Sequence, residues 1–169
     1  DHFILFKPRD IVSGDFYWMG KQDGKIVVVA ADCTGHGVPG AFMSMLGITF
    51  LNELVNTMRI LEPNRILDEL RDHIMVSLKQ KGVADDETKD GMDLALIVID
   101  KPNLKLQYSG AYNPLYFVRP LSSEEKGILN RGNEITLGEG ALHNDKYMLE
   151  QLKADKMPIG ISVKRSQPF

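Results

Sequence analysis

The sequence predicts an α+β fold, with mostly antiparallel sheets and helices segregated to one side. Three observations predict it. Strand-like runs come first, two adjacent helical stretches follow, and strand-like runs resume to the end. Asp23-Gly24 stands between two β-prone runs and reads as a tight hairpin turn. Lys101-Pro102-Asn103 separates two further apolar runs in the same manner.

Each element has its own signal. Residues 3–6 form a short apolar run, and residues 15–20 are aromatic-rich through Phe16, Tyr17 and Trp18. Residues 26–31 are continuously apolar and valine-rich, as expected of a central strand, and end abruptly at Asp32. A glycine-dense loop, residues 33–40, leads to Pro39, which suits a first helical turn. Residues 41–55 are apolar on nearly every face, predicting a mostly buried helix with Phe42, Met43, Met45 and Phe50 as core packing. Asn64 is a candidate cap for a second helix, whose Leu67, Leu70, Ile74 and Leu78 form one stripe, and Gly82 is its candidate stop. Residues 83–89 read as a polar connection, and residues 92–100 and 104–111 as an antiparallel hairpin. Residues 115–119 are a further strand, residues 120–145 a polar excursion with little core, and residues 147–152 and 159–163 two short strands.

Composition narrows the function. The chain has 169 residues, 43% of them hydrophobic, a net charge of −3 and a mean hydropathy of −0.17, the profile of a folded domain rather than a disordered segment. A pI near 5.8 argues against a nucleic-acid surface. The one cysteine, Cys33, excludes a disulfide framework and a multi-cysteine zinc site. The longest uncharged run, residues 35–52, contains Pro39 and several glycines and falls short of the ~20 apolar residues of a membrane span. The opening at Asp1 suggests a piece of a larger protein.

Two aspartates stand out. Asp15 starts one strand of the predicted hairpin and Asp32 ends the other, so both fall at its open end. Two close carboxylates are unfavourable unless a proton or cation intervenes, and hard divalent ions prefer such oxygen ligands. From spacing alone, turn-capping aspartates remain the commoner alternative. His36 is a candidate proton donor or a loop hydrogen-bonding group. Lys7 and Arg9 are candidate phosphate contacts or solvated cations.

Five stretches carry a family resemblance. Ser13-Gly14-Asp15-Phe16-Tyr17-Trp18, after Lys7-Pro8 and Val12, resembles the opening motif of SpoIIE-type bacterial serine phosphatases of the metal-dependent, protein phosphatase 2C-like (PPM) family. Ala31-Asp32-Cys33-Thr34-Gly35-His36-Gly37-Val38-Pro39-Gly40-Ala41 resembles their second motif. Asp90-Gly91-Met92-Asp93, Tyr108-Ser109-Gly110-Ala111-Tyr112-Asn113-Pro114 and Met157-Pro158-Ile159-Gly160 resemble later landmarks in the same order.

The resemblance implies one domain over residues 1–169, an αββα sandwich of two antiparallel sheets flanked by helices and truncated at its C-terminus. It implies a two-ion Mn²⁺ or Mg²⁺ centre. Asp32 would bridge the ions, Asp15 would bind one, and the backbone carbonyl of Cys33 would complete a site. Asp93 is a candidate to support these ligands or simply starts a strand, Gly35 would support them, and His36 is the candidate catalytic acid. The implied activity is hydrolysis of phosphoserine or phosphothreonine in a phosphoprotein, such as an anti-sigma-factor antagonist, through a metal-activated water. The implied setting is the output module of a bacterial signalling protein, with a sensor domain on its N-terminal side. A homodimer is compatible, with no nucleic-acid partner and no membrane insertion by this segment. The implied location is cytoplasmic, including the cytoplasmic part of a membrane-anchored sensor. The family's further metal aspartates lie downstream of the Pro158-Ile159-Gly160 landmark, so the chain alone is expected to bind metal weakly. The alternatives are an inactive phosphatase-like binding module and a small-molecule phosphohydrolase.

Overall fold

The computed structural model describes residues 2–8, 11–80, 90–131, 134–135, 138, 140–160 and 167–169. They form two compact units, Asp1–Asn113 with Ala154–Phe169, and Pro114–Lys153. Both are built on antiparallel sheets, in agreement with the α+β expectation.

The larger unit starts with the hairpin β1 (Phe16–Gln22) and β2 (Lys25–Cys33), paired from Gln22↔Lys25 to Phe16↔Ala31. Asp23 (φ 50°) and Gly24 (φ 78°) both take the left-handed conformation that a type I′ turn demands. Next come α1 (Gly37–Leu51), a π-helical turn (Asn52–Thr57) and α2 (Pro63–Ser77). β3 (Gly91–Asp100) then pairs with β2, and β4 (Lys105–Ala111) with β3. Buried residues alternate along the strands: Phe16 and Trp18, Val27 and Val29, Leu94 and Leu96 face the helices. They meet Leu51, Leu54, Ile66, Leu67, Leu70 and Ile74 in one core. Leu70 is fully buried, so Leu70→Ala is expected to cost about 2–5 kcal/mol, read as a lower denaturant midpoint with an unchanged slope.

The helices correct several expectations. α2 is capped by Glu62 with Pro63 in its first turn, not by Asn64. It ends at Ser77 with Lys79 in a left-handed turn (φ 54°), while Gly82 and the connection 83–89 lie outside the described residues. α1 begins at Gly37 and buries only one face. Met43 is in the core and Phe50 packs against it, but Phe42 and Met45 are 63% and 64% exposed. The helix Gly37–Thr57 is 21 residues long and, by length and composition, apolar enough to cross a bilayer. Its Met43, Leu51, Leu54 and Val55 nevertheless sit in the protein core. The π turn is anchored where Trp18 Nε1 donates to Asn52 Oδ1 at 3.3 Å. Buried Arg71 of α2 holds residues 167–169, pairing with Asp68 at 2.9 Å and donating to the Gln167 carbonyl at 3.0 Å.

The smaller unit holds β5 (Leu115–Pro120), α3 (Ser123–Asn130), β6 (Leu142–His143) and β7 (Tyr147–Leu152), in the sheet order β5-β7-β6. The excursion expected to carry little core contains a helix, none of whose residues is buried. Ser122 caps it through a reciprocal box with Glu125. Arg119 clips helix to sheet, bonding Glu125 at 2.9 Å and Glu150 at 2.8 Å. In the larger unit, β8 (Ile159–Gly160) adds to β3 through Met92↔Ile159 and Gly91↔Gly160.

Candidate metal centre

The site lies where β1, β2 and β3 end together. Asp32 stands opposite Asp93 in the β2–β3 register. Asp15 immediately precedes Phe16, which pairs with Ala31, so Asp15 flanks Asp32 on the other side. Directly opposed residues share a face of a sheet. The three carboxylates therefore form one row across three strands. Asp32 and Asp93 sit between residues buried against the helices, which turns the row toward the opposite face.

The electrostatics match this geometry. Asp32 lies within hydrogen-bonding reach of Asp15, and its pKa is raised by burial first, then by Asp15 and by the charge of Asp93. Asp93 is raised by burial. Burial, reinforced by Asp32 and Asp15, pushes the Cys33 thiol up to about 12. The thiol is thus protonated at neutral pH and unsuited to act as a nucleophile.

The backbone around the row is unusually close. A Cβ on Gly14 would lie 2.8 Å from the Gly35 carbonyl oxygen and 3.2 Å from that of Cys33. A Cβ on Gly40 would lie 2.7 Å from the Gly35 oxygen and 3.0 Å from Gly14 Cα. Gly35 itself has φ 87°, where a side chain is strained. Glycines 14, 35 and 40 thus let the loop before β1 nest against the loop after β2. The Asp15 amide donates to Ser13 Oγ at 3.0 Å, which shapes the turn into β1. The motif Asp90-Gly91-Met92-Asp93 and the landmark Pro158-Ile159-Gly160 also meet, since Gly91 lacks a Cβ that would stand 2.7 Å from the Ile159 carbonyl oxygen.

Between the two loops is a cavity of about 300 Å³, lined by residues 12–15, 32–33 and 35–36. The structure thus brings Asp15, Asp32, Cys33, Gly35 and His36 to one cavity, with Asp93 beside them in the row. His36 is exposed at the start of α1, its backbone extended (φ −134°, ψ 172°). Lys7 is exposed and does not line the cavity, and Arg9 lies outside the described residues. Among the described residues, no three His, Cys, Asp or Glu side chains close on one centre, so the carboxylates form a row rather than a cage. Their chemistry still fits a hard divalent ion: two carboxylates in reach of each other, and a carbonyl oxygen close by. Sequence reasoning missed the nesting of Gly14 on Gly40 and the contacts of Thr34, for which glycine density was the available signal.

The family model of stage II sporulation protein E (SpoIIE) matches residues 22–147. No curated protein sequence matches the chain. Among solved structures, the chain is similar to the SiaA-PP2C domain of Pseudomonas aeruginosa, with 28% identity and a TM-score of 0.65 over 94% of this chain and 51% of that one. It therefore spans about half the length of that domain's chain. A stage II sporulation E family protein from Thermanaerovibrio acidaminovorans matches at 12% identity and TM-score 0.47, over 83% of this chain and 75% of that one. The RsbU and RsbW domains of a Mycobacterium tuberculosis protein match at 18% identity and TM-score 0.45, over 87% and 37%.

Proposed function

The chain belongs to the SpoIIE family, and from that premise we propose that it supplies metal ligands of a metal-dependent serine/threonine protein phosphatase. The observation that carries the reading is the meeting of Asp15 and Asp32 at a cavity also lined by Cys33 and His36. Asp32, Asp15 and the Cys33 carbonyl would hold Mn²⁺ or Mg²⁺. Such ions make a water acidic enough to attack near neutral pH and offset charge on a phosphoryl group.

The chain's own residues then have distinct roles. The carboxylates of Asp15 and Asp32 would hold the cations, and Asp93, opposite Asp32 in the register, would add negative charge beside them. Gly35 takes the left-handed turn that lets the loop line the cavity. As water oxygen bonds to phosphorus, the bond from phosphorus to the seryl or threonyl oxygen breaks and its electron pair leaves with that oxygen. His36, which lines the cavity, would give that oxygen its proton. No covalent phosphoenzyme is required, in keeping with the protonated Cys33 thiol.

The family resemblance supports a phosphoprotein substrate, such as an anti-sigma-factor antagonist, and a role as signalling output beside a sensor domain in the cytoplasm. The test is phosphate release from a phosphoserine peptide by the full-length protein with Mn²⁺, with Mg²⁺ and with EDTA. Release that needs the cation and is lost with Asp32→Asn is expected. Peptide binding without release under all three conditions would make the protein a binding module, and release from small esters but not the peptide a small-molecule phosphohydrolase.

A further inference from the structure

We propose that Thr34 is a positioning residue, whose hydroxyl ends the β2–β3 ladder so that the Cys33 carbonyl is presented to the cation site. The inference rests on the reading of Asp15, Asp32 and the Cys33 carbonyl as ligands.

The Thr34 amide donates to the Gly91 carbonyl oxygen at 2.9 Å. In a regular antiparallel pair the return bond would run from the Gly91 amide to the Thr34 carbonyl. Here the Gly91 amide donates instead to Thr34 Oγ1, at 3.2 Å. The side chain replaces the backbone acceptor, Thr34's own carbonyl is released from the ladder, and the chain turns out of the sheet into the glycine loop. Bonding directions alternate along such a ladder. With Thr34 bonded toward β3, Cys33 turns its N–H and C=O toward the β1 side. There the Cys33 oxygen stands 3.2 Å from the place a Gly14 Cβ would take.

The partner is itself fixed. Gly91 is buried and pairs with Gly160, and a Cβ on it would meet the Ile159 carbonyl oxygen at 2.7 Å. Gln80 Nε2 holds the preceding Asp90 carbonyl at 2.6 Å. Thr34 thus references the strand end carrying Asp32 and Cys33 to a rigid part of the sheet. Valine matches the β-branched shape of threonine, but the hydroxyl is what accepts the Gly91 N–H. Serine keeps the acceptor, whereas valine keeps the shape and loses it.

The experiment compares Thr34→Val and Thr34→Ser in the full-length protein. Amide hydrogen exchange is read at Gly91, and Mn²⁺ affinity by titration. Thr34→Val is expected to speed Gly91 exchange at least tenfold and weaken Mn²⁺ binding about tenfold, with KM for the phosphopeptide little changed, while Thr34→Ser restores both toward wild type. Faster Gly91 exchange with wild-type Mn²⁺ affinity would reduce the bond to fold maintenance and overturn the proposal. Wild-type exchange in Thr34→Val, or failure of serine to restore affinity, would overturn it too. Asp32→Asn is titrated alongside; unchanged Mn²⁺ affinity in that variant would sink the ligand assignment itself, a result distinct from failure of Thr34 alone.

Discussion

Asp32→Asn is expected to lower phosphatase activity by about three orders of magnitude while making the metal-free protein more stable. The loss follows from the position of Asp32 in the middle of the row, the one carboxylate with an acidic neighbour on each side. Removing its charge removes an attachment for the cations, whose electrostatic contribution is on the order of several kcal/mol. The gain follows from the same geometry. Burial, Asp15 and Asp93 all raise the pKa of Asp32, so its charged form is held in the fold at a cost. Between the ordinary aspartate value and the raised one, the native state keeps a proton that the unfolded chain has lost. Metal-free stability therefore rises as pH falls through that window, and Asn removes the share due to Asp32, leaving that of Asp93. Asp32 is exposed, which limits the gain to about 1 kcal/mol or less, a rise of a few degrees in Tm. Thermal melts in EDTA across pH 4–8, together with the phosphopeptide assay, check both halves.

Gly40→Ala is expected to be the most damaging single-methyl change at the site. The added carbon would stand 2.7 Å from the Gly35 oxygen, 3.0 Å from Gly14 Cα and 3.1 Å from Gly14 N. All three are backbone atoms, so no side chain can swing aside and the two loops must part. Overpacking of this kind costs about 1–3 kcal/mol. The displacement falls on Gly14 and Gly35, next to the ligands, where a shift of about 1 Å can cost on the order of a hundredfold in rate. Gly37→Ala is the control. Nothing lies within 4 Å of its new carbon, and the cost is the strain of a side chain at φ 62°. Gly37→Ala should lose about 1–2 kcal/mol of stability and keep most of its activity. Equal activity in the two variants would show that the nesting of the loops does not matter.

What could be read from the chain beforehand was mostly local. The hairpin followed from Asp23-Gly24, because few residue pairs accept two left-handed conformations in succession. Counting outward from that turn brought Asp15 and Asp32 to one end, and the register aligns them. The third member of the row, Asp93, was harder to place, because its strand returns only after two helices and nothing local fixes that register. The same applies to Thr34 and Gly91, which meet across 57 residues of sequence separation. The cap of α2 was misplaced by two residues because Asn64 looked better than Glu62, although Pro63 already marked the first turn. α3 went unread despite the Ser122–Glu125 spacing of a capping box, since glycines and polar residues dominate its surroundings. Phe42 and Met45 look no less core-like than Met43; only the packing of α1 on the sheet separates the buried face from the exposed one.

Convergence of Asp15 and Asp32 on a divalent cation is read by a Mn²⁺ titration of the full-length protein beside its Asp15→Asn and Asp32→Asn variants. Mn²⁺ binding is expected to compete with protons and to weaken at least tenfold in each variant, more in Asp32→Asn than in Asp15→Asn. Mn²⁺ binding equally tight in wild type and Asp32→Asn would contradict that convergence.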